Sequence, residues 1–135
     1  MQIDRKPTAD KPTILVVEND EDNLIYISQA IALLGYRSIT SQDSRNCLDL
    51  VLKHRPDLII LDIKMPYLSG IDLVKMLRAN WLTRNIPVVA VTALTKDRDK
   101  KLILNVGFKA YLIKPFYLED FEQIVVSNIA KDFCS

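Results

Sequence analysis

The chain has 135 residues, of which 49% are hydrophobic and 26% are charged, and its formal net charge is +1. This length fits one domain with a single core, and the near-neutral charge gives no overall attraction to nucleic acid or acidic membranes. No apolar run is long enough to cross a bilayer and the N-terminus lacks a signal-peptide pattern, so we expect a cytoplasmic protein. Cys47 and Cys134 match no metal-ligand spacing, so we expect two free thiols.

The first part of the chain predicts a flexible extension followed by a strand and a helix. Residues 1–12 are polar and contain two prolines, which is typical of a flexible segment. Residues 13–17 form an apolar run that predicts a buried strand, and an acidic cluster follows it. We interpret Asp22 and Asn23 as solvated cap residues of the first helix, which ends at Gly35.

The next elements are a short strand over residues 36–40 and a helix over about residues 44–54. Residues 58–61, which follow Asp57, then form a branched apolar run that ends on Asp62. Such an uninterrupted run is typical of a strand that is covered on both faces. Asp62 is therefore predicted to lie at the end of the central strand.

A loop and a third helix follow the central strand. The loop is predicted over residues 63–70 and the helix over residues 71–80, and we expect Trp81 to be half buried near its end. A fourth strand covers residues 86–91 and ends on Thr92. Together these elements repeat the alternation of strand and helix.

The last part of the chain continues this alternation. A polar helix is predicted over residues 96–106, a strand over residues 110–113 that ends on Lys114, and a helix over residues 118–133. Five strand–helix pairs in succession predict an α/β domain over residues 13–133. We expect a flavodoxin-like, doubly wound (βα)5 fold with three layers and a five-stranded parallel sheet in the order 2-1-3-4-5.

Polar side chains follow four of the predicted strands at the same edge of the sheet. These residues are Glu18, Asp62, Thr92 and Lys114. Ligands of open parallel sheets gather beyond the carboxyl ends of the strands, and carboxylate oxygens suit Mg²⁺. A carboxylate can also attack phosphorus, so the group predicts Mg²⁺-assisted phosphoryl transfer onto Asp62.

Four segments, in this order and at these spacings, resemble the receiver domain of two-component response regulators. They are Ile-Leu-Val-Val-Glu at residues 14–18, Leu-Asp-Ile-Lys-Met-Pro at residues 61–66 with Gly70 after it, Val-Thr-Ala at residues 91–93, and Tyr-Leu-Ile-Lys-Pro-Phe at residues 111–116. The similarity extends over almost the whole chain. We expect a receiver that accepts a phosphoryl group in two-component or phosphorelay signal transduction.

The resemblance implies a role for each site residue. Asp62 would be the phosphoacceptor, Lys114 would pair with the phosphoryl oxygens, and Thr92 and Tyr111 would be the switch residues. Mg²⁺ would be bound by Glu18, Asn19, Asp62 and the backbone carbonyl of Lys64. The Lys114–Pro115 bond resembles the cis peptide of the family.

Asn19 departs from the family pattern, in which the first strand usually ends in two acidic residues. A neutral amide oxygen is a weaker partner for Mg²⁺ than a carboxylate. We therefore expect weaker Mg²⁺ binding than is usual in the family, with phosphorylation retained. Asp20 is next along the chain and could compensate, provided that its side chain turns toward the metal.

The resemblance also implies the partners. A sensor histidine kinase or a histidine phosphotransfer protein would supply the phosphoryl group, and the surface of the fourth helix, fifth strand and fifth helix would bind a downstream protein or a second copy. No nucleic-acid or membrane contact is expected, and no catalytic activity beyond Mg²⁺-dependent self-phosphorylation and self-dephosphorylation. Because no further module follows in the sequence, we expect a stand-alone receiver or a fragment of a longer protein.

Three alternative functions remain open at this point. A phosphorylation-independent receiver-like interaction module is compatible with Asn19. A flavin-binding electron carrier would need a phosphate-binding loop after the first strand, where this chain is acidic. A phosphatase with an aspartyl nucleophile would usually have a second Asp two residues after Asp62, where this chain has Lys64.

Overall fold

Strands and helices alternate along the chain in the order that the sequence predicts. The structure is a computed structural model that describes residues 11–129. Nearly all of the predicted extension, together with Cys134, lies outside these residues. The strands within this range are β1 (Thr13–Val17), β2 (Arg37–Ser41), β3 (Leu58–Asp62), β4 (Val88–Thr92) and β5 (Ala110–Ile113). The α-helices are α1 (Glu21–Leu33), α2 (Cys47–His54), α3 (Gly70–Ala79), α4 (Asp97–Val106) and α5 (Leu118–Asn128), with a 3-10 turn at Ser44–Asn46 before α2.

The strands form one parallel sheet in the order β2-β1-β3-β4-β5, which confirms the predicted topology. All residues of β3 and β4 are buried, because helices cover both faces of the sheet. The predicted flavodoxin-like, three-layer α/β fold is therefore confirmed. Within residues 11–129, no helix is long and apolar enough to span a membrane.

Side chains of the central strands alternate between two cores, one on each face of the sheet. In β3, Ile59 and Leu61 point to the first core, whereas Leu58 and Ile60 point to the second. The first core is completed by buried residues of α2, α3 and α4, and the second by buried residues of α1 and α5. The alternation thus decides which strand-end side chains share a face.

The predicted cap of α1 is wrong by two residues. Asp20 is the N-cap, because its carboxylate accepts the backbone N–H of Asn23 at 3.1 Å. Asp22 and Asn23 lie inside the first helical turn. A carboxylate at this position satisfies one of the free N–H groups at the start of a helix and favours its dipole.

Helix α5 ends at Asn128, so the predicted helix over about residues 118–133 is wrong at Ile129, and residues 130–133 lie outside the described residues. Ile129 is extended, with φ −65° and ψ 150°, and its side chain is buried in the second core. The Asn128 side chain donates to the carbonyl of Ile124 at 2.8 Å. A side-chain bond to the last turn and the burial of Ile129 therefore favour a helix end here.

Trp81 is 74% exposed, so its predicted half-burial is wrong. The residue that the turn after α3 buries is Thr83, whose hydroxyl donates to the carbonyl of Leu77 at 2.6 Å. Buried polar groups need hydrogen-bond partners, and Thr83 finds one at the end of the helix. The turn is therefore anchored by Thr83, and the Trp81 ring is left in solvent.

Candidate functional site

The pairing of β1 with β3 brings the first two site carboxylates together. Val17 pairs with Leu61, so Glu18 and Asp62 follow at neighbouring positions. Both side chains lie on the face of the second core, because they continue the alternation of their strands. Glu18 is 1% exposed and Asp62 is 6% exposed. Two nearly buried carboxylates thus adjoin at the carboxyl edge of the sheet.

Lys114 supplies the positive charge between these carboxylates. Its Nζ lies 3.1 Å from Asp62 Oδ2 and 3.0 Å from Glu18 Oε1. The backbone N–H of Lys114 donates to the carbonyl of Thr92 at 2.8 Å, which ties the ends of β4 and β5 together. The Lys114–Pro115 peptide is cis, as the resemblance implied. Lys114 is therefore fixed by its backbone as well as by its ion pairs.

The Glu18 carboxylate remains partly unsatisfied in this arrangement. Among residues 11–129, Oε1 has no hydrogen-bond partner, and its contact with Lys114 is an ion pair only. Burial, followed by the contact with the Asp62 carboxyl, raises the pKa of Glu18 to about 7, although Lys114 and the Asp20 amide oppose this. Burial lowers the pKa of Lys114, but its contacts with Glu18 and Asp62 outweigh that effect and raise it.

These features fit a divalent cation. Two carboxylates meet at a site where one buried oxygen lacks a hydrogen bond, and a positive ion there would offset the burial and repulsion that raise the pKa of Glu18. Mg²⁺ takes one or two carboxylates and keeps several waters, so a larger set of acidic ligands is not required. No group of three or more His, Cys, Asp or Glu side chains that could hold a metal occurs among residues 11–129.

Thr92 lies at the end of β4 and is 1% exposed. Its Oγ1 accepts the backbone N–H of Leu94 at 3.0 Å. A hydroxyl that accepts through its oxygen still has its own hydrogen to donate. Thr92 can therefore donate to an anion at the sheet edge without losing its contact with the β4–α4 loop.

The β3–α3 loop is held close to Asp62 by backbone contacts. Lys64 is exposed, and its N–H donates to Asp62 Oδ1 at 3.3 Å. The Gly70 N–H donates to the Ile63 carbonyl at 2.9 Å, and a Cβ on Gly70 would collide with the Asp62 carbonyl oxygen. Gly70 is thus required by close approach to the backbone of the site.

Asn19, the remaining predicted metal ligand, directly follows Glu18 and is exposed. Its backbone carbonyl accepts a hydrogen bond from the Gln42 side chain at 3.3 Å. Asp20 is engaged as the N-cap of α1, and its backbone N–H donates to Glu18 Oε2 at 3.1 Å. The structure therefore does not support Asp20 as a replacement for the missing second carboxylate.

Tyr111 lies outside the polar group. It is half-buried in β5, pairs with Ala90 of β4 and packs against the first core. The structure brings together Glu18, Asp62 and Lys114, with Thr92 tied to Lys114 through the backbone. The proposed switch role of Tyr111 stays a prediction.

Sequence reasoning missed the residue that secures the β3–α3 loop. Ser44 is 2% exposed; its hydroxyl donates to the Pro66 carbonyl at 2.7 Å and accepts the Leu68 N–H at 3.1 Å. Beside it, the Arg45 guanidinium lies 3.8 Å from the centre of the Tyr67 ring. A serine at the start of a helix has the sequence pattern of a cap, and no local signal identifies its contact with a distant loop.

Comparison with known proteins identifies the family of this chain. Residues 14–126 match the family of response regulator receiver domains, so the chain belongs to that family. Among curated relatives, the polar-differentiation response regulator DivK of Brucella anthropi is 36% identical over 117 residues, which cover 87% of this chain and 95% of the relative. The protein of the same name from Brucella ovis is 35% identical over 117 residues, with the same coverage.

Solved structures show the same architecture. The Francisella response regulator 1452 receiver domain has a TM-score of 0.81 and 31% identity, over 87% of this chain and 95% of that one. The chemotaxis protein CheY4 of Vibrio cholerae has a TM-score of 0.83 and 27% identity, over 88% and 99%. The receiver domain of sensor histidine kinase PA1611 from Pseudomonas aeruginosa, with a magnesium ion coordinated in its active-site cleft, has a TM-score of 0.81 and 28% identity, over 93% and 99%.

Proposed function

We propose that this receiver accepts a phosphoryl group on Asp62 in two-component signal transduction and is switched by it. The observation that supports this most directly is the Asp62 carboxylate at the sheet edge, 3.1 Å from the Lys114 ammonium and beside the buried Glu18. The phosphoryl donor would be a histidine kinase or a histidine phosphotransfer protein, in line with the family.

In the proposed reaction, an oxygen of Asp62 forms a bond to phosphorus while the bond from phosphorus to the donor histidine nitrogen breaks. The imidazole keeps the electron pair of the broken bond. Lys114, already 3.1 Å from Asp62, would pair with the phosphoryl oxygens, and the free hydrogen of the Thr92 hydroxyl would be donated to one of them. We propose a phosphorylated signalling protein whose catalytic activity does not extend beyond Mg²⁺-dependent self-phosphorylation and self-dephosphorylation.

Glu18 and Asp62 would hold Mg²⁺, together with the Asn19 side chain and the Lys64 backbone carbonyl. The metal, when bound, supplies charge neutralisation for the phosphoryl oxygens. The unsatisfied oxygen of Glu18 supports this assignment from within the chain. The magnesium-bound receiver of the Pseudomonas aeruginosa kinase supports it by analogy.

The proposed output is a change of surface at α4, β5 and α5. A phosphoryl group adds charge at Asp62, and the Thr92 backbone is already bonded to Lys114 of the β5 end. Movement of Thr92 toward the phosphoryl group, followed by Tyr111, would alter this surface for a downstream protein or a second copy. We propose the cytoplasm as the compartment, and no direct contact with nucleic acid.

The test is the intact mass of the protein after incubation with acetyl phosphate and Mg²⁺. We expect one added phosphate in the native protein and in Asp49→Asn, which removes an exposed carboxylate of α2. We expect none in Asp62→Asn or in the presence of EDTA. A mass gain that persists in Asp62→Asn would refute Asp62 as the acceptor.

A phosphorylation-independent interaction module is the second candidate, favoured by the exposed and uncharged Asn19. Its signature would be a folded protein that gains no phosphate from acetyl phosphate or a phosphorylated donor at saturating Mg²⁺. Partner binding that is equal in the native protein and in Asp62→Ala would also support this candidate over the first.

A further inference from the structure

A basic pocket lies at the edge of the sheet opposite Asp62, where β4 and β5 begin. Its volume is about 200 Å³, and its lining includes Arg78, Arg84, Asn85, Gly107 and Lys109. No aspartate or glutamate lines it. The proposed phosphorylation reaction uses none of the residues that line this pocket.

Arg78, in the last turn of α3, forms the wall of the pocket. Its Nε and Nη2 donate to the Gly107 carbonyl at 3.1 and 2.8 Å, and its Nη1 donates to the carbonyls of Arg84 and Ile86 at 2.9 and 2.7 Å. These acceptors are neutral, so four hydrogen bonds fix the guanidinium without balancing its charge. Among residues 11–129, one of its five N–H groups has no acceptor.

Arg84 and Lys109 add two further positive charges at the same pocket. Both are exposed, and neither side chain has an ion pair or a hydrogen bond to another residue within the described chain. Arg78, Arg84 and Lys109 all line this concavity and no acidic residue lines it, so its charge favours an anion. The charge pattern therefore selects a negatively charged ligand.

A purely structural role accounts for only part of this arrangement. Arg78 ties the end of α3 to the turns before β4 and β5, and Gly107 leaves room for it, since a Cβ there would lie 3.0 Å from Arg78 Cγ. That role explains the bonds of Arg78 and the glycine. It does not explain why two unpaired cations border the same pocket.

We propose that this pocket binds a phosphate group. Guanidinium groups match the oxygens of phosphate with paired hydrogen bonds, and an ammonium adds charge without a strict geometry. A cavity of about 200 Å³ is larger than a water needs and smaller than the pockets of roughly 300 Å³ and above that enclose whole organic ligands. The pocket therefore takes one phosphate group, either as the free ion or as the terminal group of a phosphate monoester whose remainder stays in solvent.

The experiment is a titration followed by two-dimensional ¹H–¹⁵N spectra, at constant ionic strength and without Mg²⁺. One arm uses inorganic phosphate and the other a phosphate monoester, glycerol 3-phosphate. We expect saturable shifts of the Asn85, Gly107 and Lys109 amides in at least one arm. Saturation with inorganic phosphate identifies the free ion as a ligand, and saturation only with the monoester identifies an esterified phosphate.

The decisive variant is Arg84→Gln/Lys109→Gln, which leaves the Arg78 bonds in place. We expect at least a tenfold loss of affinity in this variant. The matched control is Arg98→Gln/Lys101→Gln, which removes two positive charges from α4, and it should bind as the native protein does. Asp62→Asn should also bind normally, so failure of the phosphorylation proposal would leave this result unaffected. Absence of saturation in both arms, or equal affinity in the two double variants, would overturn the proposal.

Discussion

At the scale of single residues, Asn19 would determine how much negative charge the proposed Mg²⁺ site has. Replacement by aspartate, Asn19→Asp, adds a carboxylate directly after Glu18. A unit charge about 4 Å away contributes about 1 kcal/mol even in water, so we expect the Mg²⁺ dissociation constant to fall roughly fivefold or more. Isothermal titration with Mg²⁺ measures this. Asn105→Asp, which adds the same charge on the exposed surface of α4, is the control. Equal affinities in the two variants would show that Asn19 lies outside the metal site.

Cys47 is the second residue whose surroundings give a measurable prediction. It is fully buried in the first core, and burial raises the pKa of its thiol to about 12. Only the thiolate reacts with alkylating agents, so at pH 8 roughly one thiol in ten thousand is reactive. We expect iodoacetamide to leave Cys47 unmodified in the folded protein and to label it in urea. Peptide mapping of both samples measures the difference, and rapid labelling without urea would contradict the buried placement.

At the scale of elements, the junction of β3 with α3 depends on Gly70. In Gly70→Ala the new methyl group meets the Asp62 carbonyl oxygen, so backbone must move. Overpacking of this kind costs about 1–3 kcal/mol of unfolding free energy. Urea denaturation measures it. Gly35→Asn is the control, since Gly35 has φ +82° and open space around it, and asparagine tolerates that backbone. An equal loss in both variants would contradict the close-contact argument.

Ser44 joins two elements that are distant in sequence, the 3-10 turn before α2 and the β3–α3 loop. Ser44→Ala removes two part-buried hydrogen bonds, to the Leu68 N–H and the Pro66 carbonyl, which costs about 0.5–1.5 kcal/mol per bond. Ser28→Ala is the matched control, because among the described residues the Ser28 hydroxyl bonds only to the Leu24 carbonyl of its own helix, and alanine favours helix. We expect lower unfolding free energy and faster amide exchange at residues 64–69 in Ser44→Ala alone. Normal exchange there would remove Ser44 as the support of the loop.

At the scale of the whole molecule, the sequence predicts the strands and helices, which follow repeating patterns. It does not predict features that depend on single contacts between residues distant in sequence. Apolar runs and their alternation with helices predict a parallel sheet, and parallel strands bring Glu18, Asp62 and Lys114 to one edge. The support by Ser44 and the Arg78 pocket depend on loop conformations that no periodicity encodes. The prediction errors at Trp81 and at the end of α5 have the same origin, because tertiary contacts bury Thr83 and Ile129 at these two places.

The coupling between the site and the rest of the molecule is expected to run through Thr92. In Thr92→Ala, Asp62 and Lys114 keep their contact, so phosphorylation by acetyl phosphate should stay within a few-fold of the native rate. The hydroxyl that would follow the phosphoryl group is lost, so phosphorylation should no longer change amide exchange in α4 and β5. Hydrogen exchange with mass spectrometry, before and after phosphorylation, measures this. Thr95→Ala, at an exposed position of the same loop, should respond as the native protein does. If Thr92→Ala showed the native exchange changes, the path from Asp62 to the α4–β5–α5 surface would have to bypass this hydroxyl.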